Sequence, residues 1–166
     1  MDPKIAARRL YAEIGAPDIP SLLAAAVRHL GIDVIESKAE TIDAMLVHIK
    51  PGKPVIAVNT RRSVYRQRFS LAHEIGHFVL RHGNSVSFFE NSRSAGGGFA
   101  FRPDARLERE ANIFAAELLM PKVALAREAH KFTLSELASR YMVSMQAMEI
   151  RLKELGLVCK DMRGVE

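Results

Sequence analysis

SLAHEIGHFVL, running from Ser70 to Leu80, sets two imidazoles, a carboxylate and a glycine into an otherwise apolar helical stretch. Burying that many polar groups is costly unless something pairs with them. A divalent cation would do so. Residues four apart share a helix face, so His73 and His77 direct two ring nitrogens at one point, with Glu74 beside them. A hydrolytic metal site takes three protein ligands and keeps one position for water, and this pair supplies two of the three. Glu74 is poorly angled to ligate alongside its neighbour, yet it can reach a water at the metal and take its proton. Gly76 costs a helix interior about 1 kcal/mol relative to alanine. The expected reason is a second helix lying close against the metal face.

That second helix should carry the third ligand, and LEREANIFAAELLMP (Leu107 to Pro121) offers Glu108, Glu110 and Glu117. With Phe114 and Leu118 on the core side, Ala111 and Ala115 share it and Glu108 points inward. Asn112 follows Glu108 on the same stripe, where it can accept the outer N–H of a ligand histidine and fix the ring. Glu110 turns toward solvent in this reading and stays the second candidate for the third ligand.

Outward from these helices, 166 residues with ample apolar content make one domain with a small appendage. Asp2-Pro3 and Gly15 bracket a first helix, and Pro20 to Gly31 a second. Three short β-rich runs follow, Ile32 to Glu36, Ala44 to Ile49 and Val55 to Asn59, and they predict a small three-stranded antiparallel sheet. The metal-bearing helix spans about Ser63 to His82 and should stop at Gly83. Asn84 to Pro103 reads as a long loop whose Phe88, Phe89, Phe99 and Phe101 could cover a cleft. A helix from Asp104 or Ala105 to Met120 ends before Pro121. Thr133 to Glu136 is a capping box, and Ser144 caps a last helix that stops at Gly156. The fold class is therefore α+β and mainly helical, with a principal domain over residues 1–130 and a helix-turn-helix-like tail over 131–166 packed on it.

Composition excludes several classes. The longest apolar run near the start, Leu22 to Val27, is too short to span a bilayer and no cleavage pattern follows, so a soluble cytoplasmic protein is expected, with no membrane partner. Cys159 is the lone cysteine, so any metal must be held by histidine and carboxylate. The net charge of +5 is ordinary, and Arg61, Arg62, Arg66 and Arg68 read as a solvated face. The tail from Leu134 to Leu157 has the spacing of a helix-turn-helix, which makes a DNA-binding regulator the alternative function. Against it, Glu149 and Glu154 accompany Arg151 and Lys153, leaving no phosphate-binding excess, and Met148, Leu152 and Leu155 suit packing on the core. A zinc-stabilised binding module without activity is a third reading.

RQRFSLAHEIGHFVLRH (Arg66 to His82), followed by EREANIFAAELLMP (Glu108 to Pro121), resembles the ImmA/IrrE family of zinc-dependent metallo-endopeptidases. The two motifs cover about a fifth of the chain, and the order of strand, HEIGH helix and alanine-rich helix extends the likeness across most of it. The resemblance implies a zincin-like domain, Zn2+ held by His73, His77 and a glutamate matching Glu108, and Glu74 as catalytic base. It also implies a protein substrate, a helix-turn-helix transcriptional repressor whose cleavage relieves repression in stress response or mobile-element induction. A His-His-carboxylate set accepts manganese or iron as well. The glycine-rich run from Ala95 to Phe101 is longer than the family pattern, which bears on the substrate groove rather than the ligands. Tyr65, His48, His82 and the arginine cluster are conceivable oxyanion donors, each read more readily as structural.

Overall fold

The computed structural model describes residues 1–47, 52–82, 87–90 and 104–164. Polar caps decide where most of its helices begin. Asp2 accepts the Lys4 and Ile5 N–H groups and opens α1 (Pro3–Glu13); α2 (Leu22–Leu30) closes on Gly31, left-handed at φ 66°. Both helices bury an aliphatic stripe, including Ala7, Leu10, Leu22 and Ala26.

Four strands follow, β1 (Asp33–Ser37), β2 (Ile42–Val47), β3 (Val55–Asn59) and β4 (Ser87–Glu90), in the spatial order β1-β3-β2-β4. The sheet is mixed. β3 runs parallel to β1 and antiparallel to β2, and β4 pairs antiparallel with β2. This corrects the expected three-stranded antiparallel sheet: β3 inserts between the two strands that precede it, and the connection from β1 to its parallel neighbour contains β2. Parallel neighbours need a long crossover, and here a strand serves as one. Asn59 holds the crossing together, its buried amide donating to the carbonyls of Ala39 (2.6 Å) and Ile42 (2.8 Å) while its Oδ1 accepts the Arg61 N–H. β4 also falls within the stretch expected to be a loop, where pairing with β2 makes a strand of a segment without periodicity. The remainder of that stretch, with Phe99 and Phe101, lies outside the described residues, as does His48.

Ser63 caps α3 (Val64–Val79) by accepting the Arg66 N–H. The helix ends earlier than Gly83 would have it. Arg81 adopts a left-handed backbone at φ 56°, its N–H bonding the Phe78 carbonyl and that of His82 the His77 carbonyl. This pair of bonds is the Schellman ending, built here without glycine. Asp104 caps α4 (Ala105–Leu119). A short α5 (Lys122–Glu128) follows Pro121, unforeseen in the sequence because seven residues carry little periodicity. The Thr133 and Glu136 capping box opens α6 (Leu134–Arg140), and Ser144 and Gly156 bracket α7 (Met145–Leu155).

α3 and α4 pack closely at Gly76, where a Cβ would stand 3.0 Å from Phe114 Cδ1 and 3.3 Å from the Ala111 Cα and carbonyl oxygen. Ile75, Phe114 and Leu118 belong to one apolar core with Leu137, Met148 and Leu152 of the last helices. The basic cluster is not a uniformly solvated face. Arg62 and Arg66 both pair with the buried Asp43 on β2, at 2.6 Å, and Arg68 donates to the Ile19 carbonyl at 3.1 Å. A buried carboxylate requires such partners, so Arg62 and Arg66 fasten the start of α3 to the sheet. Among the described residues, no helix is long and apolar enough to cross a membrane.

Candidate metal centre

Helical spacing on α3 and the close approach of α4 bring His73, His77 and Glu108 together, their ligating atoms all within 4.8 Å of one another. The two Nε2 atoms are 2.9 Å apart. Glu108 Oε2 lies 3.2 Å from Nε2 of His73, and Oε1 lies 3.2 Å from Nε2 of His77. Both histidines are buried, while the Glu108 side chain keeps a quarter of its surface exposed. Asn112, one turn after Glu108, places Oδ1 2.9 Å from His73 Nδ1. A carbonyl oxygen only accepts, so the proton sits on Nδ1 and the Nε2 lone pair turns toward its partners. Two lone pairs and a carboxylate facing inward repel one another, and a cation between them removes the repulsion.

Glu74 is fully buried. Oε2 accepts the Leu46 N–H of β2 at 3.1 Å, whereas Oε1 has no hydrogen-bond partner among the described residues. A buried carboxylate oxygen left bare, on the residue that follows His73, is an atom to which a hydrolytic water would hydrogen-bond. Burial, reinforced by the Glu108 charge and opposed by the Leu46 N–H, pushes the Glu74 carboxyl up to about 8, poised to exchange a proton near neutrality. Burial would raise Glu108 too, but its contacts with the His73 and His77 rings bring it to about 2. Burial, with the His77 charge, lowers His73 against the opposing Glu108 and Asn112. An ionised glutamate and a neutral imidazole are the forms that ligate metal. The donor set and the bare Oε1 fit a hydrolytic divalent cation.

The other acidic candidates go elsewhere. Glu110 is half-buried rather than turned wholly to solvent: Oε2 meets His82 Nε2 at 3.2 Å and Oε1 meets the exposed Arg106 at 3.3 Å. Glu117 is buried between Arg8 and Arg151 at the far end of α4. His82, a conceivable oxyanion donor that the sequence reads more readily as structural, packs against His77. Its side chain is 5% exposed and folds back under α3, Nδ1 lying 3.1 Å from His77 Nδ1. No helical period announces that contact, since it depends on the left-handed Arg81.

A groove of about 640 Å³ runs between α3, α4 and α7 and reaches Asn112, with Tyr65, Arg109, Ile113 and Ile150 along its walls. On α7 the exposed charges are Glu149, Lys153 and Glu154, because Arg151 is buried against Glu117 and the Met120 carbonyl. That face therefore has no excess of positive charge for phosphates.

The family model Peptidase_M78, described as the IrrE N-terminal-like domain, matches residues 27–153. The match spans α3 and α4 with every residue of the cluster. No curated protein matches the chain.

Proposed function

Because this chain belongs to the Peptidase_M78 family, metallopeptidases of the IrrE/ImmA kind, we propose that it is a zinc-dependent endopeptidase that cleaves a helix-turn-helix transcriptional repressor. The observation that carries the reading is the meeting of His73, His77 and Glu108, together with the unpaired Oε1 of the buried Glu74 that follows His73 in the chain. In this reading the two histidines and Glu108 hold the cation. When bound, zinc supplies Lewis acidity that polarises a scissile carbonyl and makes water acidic near neutral pH. Glu74 does the proton work. Oε1 receives the proton of the attacking water, and the same carboxyl returns it to the leaving amine. The Leu46 N–H fixes Oε2, so the oxygen that moves protons is the free one. Asn112 orients His73, and burial of all three motif residues excludes competing water. A His-His-carboxylate set also takes manganese or iron, so zinc is the proposal and the ligand chemistry its support.

Incubating the purified chain with a helix-turn-helix repressor from a neighbouring gene, with and without chelator, tests the reading. Mass spectrometry should find one metal-dependent cut in the repressor. Intact repressor in the presence of supplied zinc would count against the substrate, and cutting unaffected by chelator would count against the metal.

A further inference from the structure

The last turn of α3 carries a chain of contacts that begins on α4 and ends at the candidate centre. Glu110 Oε2 lies 3.2 Å from His82 Nε2, and His82 Nδ1 lies 3.1 Å from His77 Nδ1. A carboxylate can only accept, so the hydrogen between Glu110 and His82 belongs to His82 Nε2. In a neutral ring this leaves Nδ1 of His82 as a lone pair. Two ring nitrogens at 3.1 Å need one hydrogen between them, and it must then sit on His77 Nδ1. The Nε2 lone pair of His77 is thereby turned toward His73 and Glu108. Arg106 holds the other oxygen of Glu110 at 3.3 Å and keeps the carboxylate aimed.

We propose that His82 and Glu110 are positioning residues for the metal centre, fixing the tautomer and orientation of His77 as Asn112 fixes those of His73. The inference rests on the metallopeptidase reading given above. It assigns a role to two residues that ligate nothing themselves. The backbone is built for it: the left-handed Arg81 returns the chain so that His82 lies beneath His77, where Schellman endings ordinarily place an apolar contact. Partners that hydrogen-bond the outer nitrogen of a ligand histidine typically change metal affinity by about 10- to 100-fold.

The test is zinc affinity of the full chain by competition with a chromogenic chelator, alongside the hydrogen position of His77. His82→Leu and Glu110→Leu should each bind zinc about tenfold or more weakly. His82→Asn should recover much of the loss, because its Oδ1 stands where the accepting Nδ1 stood. Nitrogen-15 spectra of the zinc-loaded wild-type chain should show His77 protonated on Nδ1 and hydrogen-bonded to His82. This measurement decides the matter even if a variant fails to fold. Variants that bind within about twofold of the wild type overturn the proposal alone, as does a His77 protonated on Nε2. A wild-type chain that binds no zinc overturns the metallopeptidase reading with it.

Discussion

Glu74 hangs from the sheet by one oxygen: Oε2 accepts the Leu46 N–H of β2 at 3.1 Å, while Oε1, equally buried, is left without a partner. The arrangement separates a holding atom from a working one. Glu74→Gln keeps a carbonyl for Leu46 but cannot take a proton. Cleavage should fall by about 10²- to 10⁴-fold while bound metal, measured by elemental analysis, stays close to stoichiometric. A variant that cuts at the wild-type rate would remove Glu74 from the chemistry.

Gly76→Ala tests the distance between the ligand helices. Alanine favours the helix by about 1 kcal/mol, but its Cβ would meet the Ala111 backbone at 3.3 Å and Phe114 at 3.0 Å, and backbone does not yield as a side-chain tip does. We expect a net loss of about 1–3 kcal/mol in urea unfolding. Metal affinity should weaken as well, since pushing α4 away carries Glu108 with it. An unchanged or raised unfolding midpoint would contradict the tight crossing.

Glu117 governs the acid side of stability. Burial pushes its carboxyl up, yet hydrogen bonds from Arg8 and Arg151 outweigh this and hold it below its ordinary value of 4.5. A group depressed by folding contributes stability above its unfolded value and loses that contribution as pH falls through the folded one. Wild-type melting temperature should therefore decline below about pH 5. Glu117→Gln should cost about 3 kcal/mol at neutral pH, because the buried Arg151 loses its buried counter-charge and keeps only the exposed Glu154, and its acid decline should be shallower. A variant with the wild-type acid profile would show that other groups set it.

Arg81 holds a left-handed backbone that an L-residue adopts at a cost of about 1–2 kcal/mol. Arg81→Gly should relieve part of this and leave stability unchanged or raised by up to about 1 kcal/mol. Arg81→Val, branched at Cβ, should lower it by about 1 kcal/mol. Equal midpoints for the two variants in urea titration would mean the turn is not strained.

Much of the helical frame was legible because its signals are local. Asp2, Thr133 and Ser144 each cap within three residues, and the four-residue spacing of His73 and His77 is itself the geometry of a shared face. The sheet was less legible. Alternating apolar residues reveal a strand but not its direction, so the parallel register of Asp33 with Val55 carries no mark in either run. β4 owes its existence to β2 rather than to its own pattern. The same limit applied around the candidate site. Asn112 lies on a predictable stripe, whereas the contact of Glu110 with His82 joins residues 28 apart through a turn whose left-handed member is an arginine. A glycine there would have flagged it. The pairing of Asp43 with Arg62 and Arg66 was hidden likewise, because neither strand alternation nor helical period tells which charges will meet.

Glu108 near the start of α4 and Glu117 near its end ride on one rigid rod, and the second of them is clasped by Arg151 from α7. Trimming the chain ahead of Met145 would strip Glu117 of that clasp and take Met148 and Leu152 out of the core that Phe114 and Leu118 of the rod share. The final helices thus act as ballast for the very helix that aims Glu108, and a shortened chain should emerge as a misfolded precipitate rather than as a smaller working enzyme.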